Sequence, residues 1–143
     1  MRNVDPSLEE LVKTVVDHGF RLHDVIGPGL LEGAYEAFLE ASLRKAGLSV
    51  ERQVSFPARY GDITIENAFR VDLLVERGLV VELKSVEPLS KVHTKQVLTY
   101  LRLLNLPIGL LMNFGAPMFR DGIKRIIDSR HPYRSTESQA DSG

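Results

Sequence analysis

Apolar residues open the chain at a helical spacing. Leu8, Leu11, Val12, Val15, Val16, Leu22 and Ile26 recur near every third or fourth position, which predicts an amphipathic helix. Its start is signalled in two ways. Ser7 followed by Glu10 has the form of a capping box, and Asp5-Pro6 could equally open the helix. Gly27-Pro28-Gly29 interrupts the pattern. A second helix is expected after it, with Leu31, Tyr35, Phe38, Leu39, Leu43 and Ala46 on the apolar face and Gly47 as its stop.

From Val50 the period changes to two. Val50–Phe56 and Ile63–Glu66 read as strands around the turn-forming stretch Pro57 to Asp62. Phe69–Val75 and Leu79–Ser85 read as two more, joined across Glu76-Arg77-Gly78. Ser90 is placed to cap a third helix reaching about Leu104, with Val92, Val97, Leu101 and Leu104 inward and Asn105 to Pro107 as its end. Ile108–Phe114 is nearly all apolar, as a strand buried on both faces should be. Gly115-Ala116-Pro117 turns the chain into a weaker last strand, Ile123–Ile127. The expected fold class is α/β: helices packed on a mixed central sheet, in one domain over residues 1–130. Residues 131–143 are polar and are expected to form a disordered tail.

The hairpin from Phe69 to Ser85 adds chemistry to this outline. With Gly78 in the left-handed position of a three-residue loop, Val75 pairs with Leu79, Leu73 with Val81 and Val71 with Leu83, giving a core face. The opposite face then pairs Leu74 with Val80, Asp72 with Glu82 and Arg70 with Lys84. A slip of one residue would mix the faces, so the apolar pattern selects this register. Directly opposed Cβ atoms lie about 5 Å apart, so two carboxylates there repel each other. A divalent cation between them would remove the repulsion. Such a cation, with a lysine alongside, could activate water and offset charge developing on a phosphate. On the hairpin alone a plainer reading stays open, in which Glu82 and Lys84 are exposed on an edge strand and Asp72 forms a salt bridge.

Composition narrows the classes. The 143 residues suit one core, and no cysteine is present, which excludes disulfides, thiolate metal sites and cysteine nucleophiles and suits a reducing cytoplasm. No apolar run approaches the ~18 residues of a membrane span, so no membrane partner is expected. Net charge is only -1, but residues 1–83 carry nine Lys/Arg against fourteen Asp/Glu, and residues 84–125 seven against two. An acidic half beside a basic half is compatible with a metal site next to a phosphate-binding face. Chance clustering on solvated faces is the competing account.

The D-x₉-E-x-K spacing of Asp72, Glu82 and Lys84 resembles the PD-(D/E)XK nuclease signature, with Val71 where the motif has proline. Gly29-Leu30-Leu31-Glu32-Gly33-Ala34-Tyr35 resembles the motif of the GxxExxY family within that superfamily. Gln96 to Tyr100 resembles the QxxxY motif of RecB-type nucleases, and the strand ending in Asn113-Phe114-Gly115 is also similar to the family. The likeness extends over roughly residues 8 to 128.

The resemblance implies a restriction-endonuclease-like core and a Mg²⁺- (or Mn²⁺-) dependent nuclease, with DNA preferred over RNA as the nucleic-acid partner. It implies Asp72, Glu82 and Glu32 as metal ligands, Lys84 as the catalytic lysine, and Gln96 with them in the catalytic group, with Tyr100 near the site, where it could stack on a base or simply pack. Lys91, Lys95 and His93 could contact phosphate, although solvated helix charges and a surface histidine are their ordinary readings. Glu32 could be a plain first-turn carboxylate, and Tyr35 is expected in the core. Specificity would come from a recruiting protein or a homodimer. The alternative of another class is a non-catalytic nucleic-acid-binding or protein-interaction module on the same fold.

Overall fold

The structure is a computed structural model and describes residues 6–130. The expected polar tail, 131–143, lies outside the described residues, as does Asp5. Helix α1 (Pro6–Ile26) leads into α2 (Glu32–Lys45), followed by β1 (Val50–Tyr60), β2 (Ile63–Val75) and β3 (Leu79–Lys84). Then come α3 (Lys91–Leu104), β4 (Ile108–Asn113), the short α4 (Phe119–Gly122) and β5 (Ile123–Ile127). Ser7 stands inside α1 and so is not the cap of that helix.

The five strands lie in chain order, β1-β2-β3-β4-β5. Only β3 and β4 run parallel, and α3 makes the crossover between them. Pairs β1–β2, β2–β3 and β4–β5 are antiparallel. The fold is therefore the expected mixed sheet flanked by helices. One face is covered by α1 and α2 through Val15, Tyr35, Leu39 and Leu43, packed on Leu73, Leu79, Val81 and Leu83. The other is covered by α3 through Val97 and Leu101, packed on Val71, Leu74, Val80 and Leu111. Every residue of β4 is buried, as a strand between two helical layers requires.

Several elements differ from expectation. Ile63–Glu66 and Phe69–Val75 are one continuous strand, β2, and β1 continues past Phe56 to Tyr60. The residues between them are absorbed by a register shift between Phe56 and Ala58, a bulge that lets the ladder pass Pro57. In the β2–β3 turn the left-handed residues are Glu76 and Arg77, with φ of 52° and 50°, rather than Gly78. Ser49 offsets that cost, since its carbonyl accepts from the Glu76 N–H (2.7 Å) and its N–H donates to the Glu76 carboxylate (2.6 Å). Leu31, Phe38 and Val92 face solvent, not the core. Leu31 immediately precedes α2 and Val92 lies in the first turn of α3.

Candidate active site

The β2–β3 ladder pairs Leu73 with Val81, Leu74 with Val80 and Val75 with Leu79. The expected register is therefore right where the ladder forms, but the ladder stops before Asp72 and Glu82. At that position each carboxylate takes a main-chain donor from the opposite strand. Glu82 accepts from the Asp72 N–H at 2.7 Å, and Asp72 accepts from the Leu83 N–H at 3.0 Å. The acids thus close the gap where the strands part, and the expected Arg70–Lys84 pair does not form in the ladder.

A second irregularity coincides with this one. Gln53, opposite Asp72 on β1, has φ of 55° and drops out of the β1–β2 ladder. A left-handed residue within a strand turns the following side chains to the other face. Val54 and Val71 accordingly pack on the α3 side, while Leu73 packs on the α1–α2 side. This corrects the expectation that Val71 shares the core face of Leu83. Gln53 uses its amide to bridge two acids, donating to Glu36 (2.8 and 2.9 Å) and to Asp72 (3.1 Å).

Two helices complete the site from opposite faces of the sheet. Glu32 is the first residue of α2, placed by the turn before it. Gly27 and Gly29 have φ of 78° and 123°, values that favour glycine. The Tyr35 hydroxyl donates to the Gly27 carbonyl (2.5 Å) and accepts from the Leu30 N–H (3.1 Å). Tyr35 is buried as expected, but it also holds the turn that delivers Glu32. From the other face, α3 brings Gln96 and Tyr100, and Tyr100 lies within the field of Glu82 and Asp72.

The electrostatics follow from this crowding. Burial, then the charge of Asp72, pushes the Glu82 carboxyl up to about 8. Burial also raises Asp72 and Glu32, opposed in Asp72 by the Leu83 N–H and in Glu32 by the charge of Lys84. Lys84, two residues beyond Glu82 on β3, acts electrostatically on all three acids. Burial, then the negative charge of Glu82 and Asp72, raises the Tyr100 phenol.

The structure thus brings Glu32, Asp72, Glu82 and Lys84 together, with Gln96 and Tyr100 on the flank. It divides the remaining candidates. Lys91 and Lys95 line a cleft on the β5 side of α3, whereas Gln96 and Tyr100 line another on the hairpin side. His93 accepts from the Ser90 N–H at 3.3 Å and so completes the cap of α3.

Two contributors were not among the expected site residues, although Asn113 belongs to the strand ending that resembles the family. Glu36 is buried and accepts from Arg52 (2.6 Å) as well as Gln53. Its four-residue offset from Glu32 was the available signal, since that spacing puts both on one helical face. Asn113 is also buried. Its side-chain oxygen accepts from the Val86 and Gly115 N–H groups, both at 3.0 Å, which fastens the loop after Lys84 to the end of β4. A Cβ on Gly115 would lie 2.3 Å from the Val86 carbonyl oxygen, so only glycine lets the loop approach this closely. Between them, Phe114 stacks on Tyr35 at 4.6 Å. The Asn-Phe-Gly ending therefore ties the lysine strand to the helix that carries Glu32.

A model of the PD-(D/E)XK nuclease superfamily matches residues 9–126. The chain belongs to that superfamily. No curated relative matches the chain. Membership implies a metal-dependent nuclease with a nucleic-acid substrate. The donor chemistry fits a hard divalent cation, because oxygen ligands predominate and the acids outnumber the adjacent lysine. In the described residues, however, no three acids or histidines converge tightly enough to enclose an ion. Asp72 and Glu82 instead turn oxygens onto main-chain N–H groups. Among the described residues no helix is long and apolar enough to cross a membrane.

Proposed function

We propose that this PD-(D/E)XK protein hydrolyses phosphodiester bonds, with DNA as the substrate to try first and the GxxExxY family as its place within the superfamily. The reading rests on one observation: Asp72 and Glu82 meet where the β2–β3 ladder ends, with Glu32 and Lys84 in the same electrostatic neighbourhood. A fold gains nothing from burying like-charged acids, whereas a nuclease needs them.

In this reading Asp72 and Glu82, with Glu32, would hold the cation through carboxylate oxygens. A Mg²⁺ or Mn²⁺ bound there supplies a lowered water pKa and compensates charge on the phosphate. Lys84 donates from its ammonium to orient the attacking water or to neutralise the developing phosphorane charge. Gln96 and Tyr100, one turn apart on α3, border the path by which the strand enters. Gln53 and Arg52 anchor Glu36 and keep the acidic group in place before a cation binds.

The test is to incubate the purified protein with linear, circular and single-stranded DNA, with Mg²⁺, Mn²⁺ or EDTA, beside Asp72→Ala and Lys84→Ala. Metal-dependent cleavage lost in both variants supports the reading. Equal cleavage by wild type and variants removes it. Nucleic-acid binding without cleavage, independent of metal, favours the non-catalytic module.

A further inference from the structure

Three lysines converge at a place the proposed chemistry does not use. Lys91 and Lys95 on α3, Lys124 on β5, and Leu89, Ser90 and Thr94 line a cleft of about 490 Å³. All three lysines are exposed, no carboxylate lines the cleft, and none of the three forms an ion pair among the described residues. The arrangement has no evident structural use, because three ammonium groups around one cleft repel each other.

Strand register gives its position. Glu82 on β3 is paired with Leu111 on β4, which is paired with Lys124 on β5. Paired residues project to the same face, and Leu111 packs under α3. Glu82 and Lys124 therefore occupy one row on the α3 face, two strand spacings or roughly 10 Å apart. Lys91 and Lys95, one helical turn apart, face this row from above. Gln96 and Tyr100 occupy the opposite flank of α3. A strand crossing the first turn of α3 would have one phosphate at the acidic group and a neighbouring one between the lysines.

We propose that Lys91, Lys95 and Lys124 form a binding cleft for a non-scissile phosphate of the nucleic-acid strand. The cleft rests on the nuclease reading for its ligand, but its contribution is to binding. Lys124, which belongs to none of the motifs, is its defining member. Ammonium groups act here as point charges, so the cleft reads backbone position and carries no base preference.

The experiment measures affinity for a fluorescent DNA oligonucleotide in EDTA across a salt series, for wild type, Lys124→Ala, Lys124→Arg and Lys91→Ala/Lys95→Ala/Lys124→Ala. Every phosphate that is no longer neutralised should reduce the slope of log K against log salt by about 0.9 on duplex and about 0.7 on single strands. The expected result is a slope lower by about one phosphate in the triple variant, a smaller reduction in Lys124→Ala, and the wild-type slope in Lys124→Arg. In cleavage assays the same variants should lose kcat/KM mainly through KM, the sign of diminished uniform binding. An unchanged slope in the triple variant, or wild type that binds no oligonucleotide at any salt, overturns the cleft. A reduced slope in protein that cleaves nothing supports the cleft and refutes the nuclease reading, so the two failures are distinguishable.

Discussion

Replacing Glu82 by glutamine should change how the metal-free protein responds to pH. The glutamine side chain keeps a carbonyl oxygen to accept from the Asp72 N–H, and it cannot ionise. In wild type the Glu82 carboxyl rises from 4.5 to about 8 on folding, chiefly through burial. The folded state therefore favours the protonated form. Its stabilising contribution is complete below pH 4.5 and is lost as pH rises through about 8. At about 1.4 kcal/mol per factor of ten, the loss across this window is on the order of 4 kcal/mol. Asp72 and Glu32 are raised in the same direction and add to the trend. The assay is urea denaturation in EDTA at several values between pH 4.5 and 8.5. Wild type should weaken steadily relative to Glu82→Gln, and the difference should shrink when Mg²⁺ is added at high pH, since cation binding favours the ionised acids. A difference between the two proteins that stays constant within about 1 kcal/mol over the window would refute the burial argument.

Other outcomes follow from the same geometry. Asp72→Asn and Lys84→Ala should each lower cleavage by at least ~10²-fold while leaving the unfolding transition cooperative, because both remove charge needed in the transition state; circular dichroism melts beside cleavage assays check this. Tyr35→Phe keeps the stack on Phe114 but frees the Gly27 carbonyl and Leu30 N–H. It should cost about 1 kcal/mol in denaturation and reduce turnover by displacing Glu32. Asn113→Ala removes the acceptor of the Val86 and Gly115 N–H groups. It should destabilise the protein by roughly 2–3 kcal/mol, measured by urea titration. Gly115→Ala, which drives a methyl into the Val86 backbone, should give a protein that loses activity and melts at lower temperature.

Much of this architecture is legible in the chain because periodicity reports burial directly. The period of α1 and α2, the period-two runs around Leu73 and Val81, and the wholly apolar β4 each follow from which neighbours must exclude water. Even the hairpin register is readable, since a slipped pairing would expose its apolar residues. That register points Asp72 and Glu82 toward each other, although the ladder ends one pair short of them and side-chain to main-chain hydrogen bonds take its place.

What the chain could not disclose is where these regular patterns break. Nothing local marks Gln53 as left-handed. Its conformation coincides with the point at Asp72 where residues of the two strands change sheet face. Strand fusion across residues 57 to 69 likewise depends on β1 and β2 supporting each other beyond the core. Glu36, Asn113 and Lys124 acquire meaning only from partners 16 or more residues away, or on another strand. Local sequence determined the elements and their facing because hydrophobic burial acts on each segment's own pattern. Tertiary structure alone decided how the acids, the amides that hold them and the separate basic cleft meet, because those contacts join groups distant along the chain.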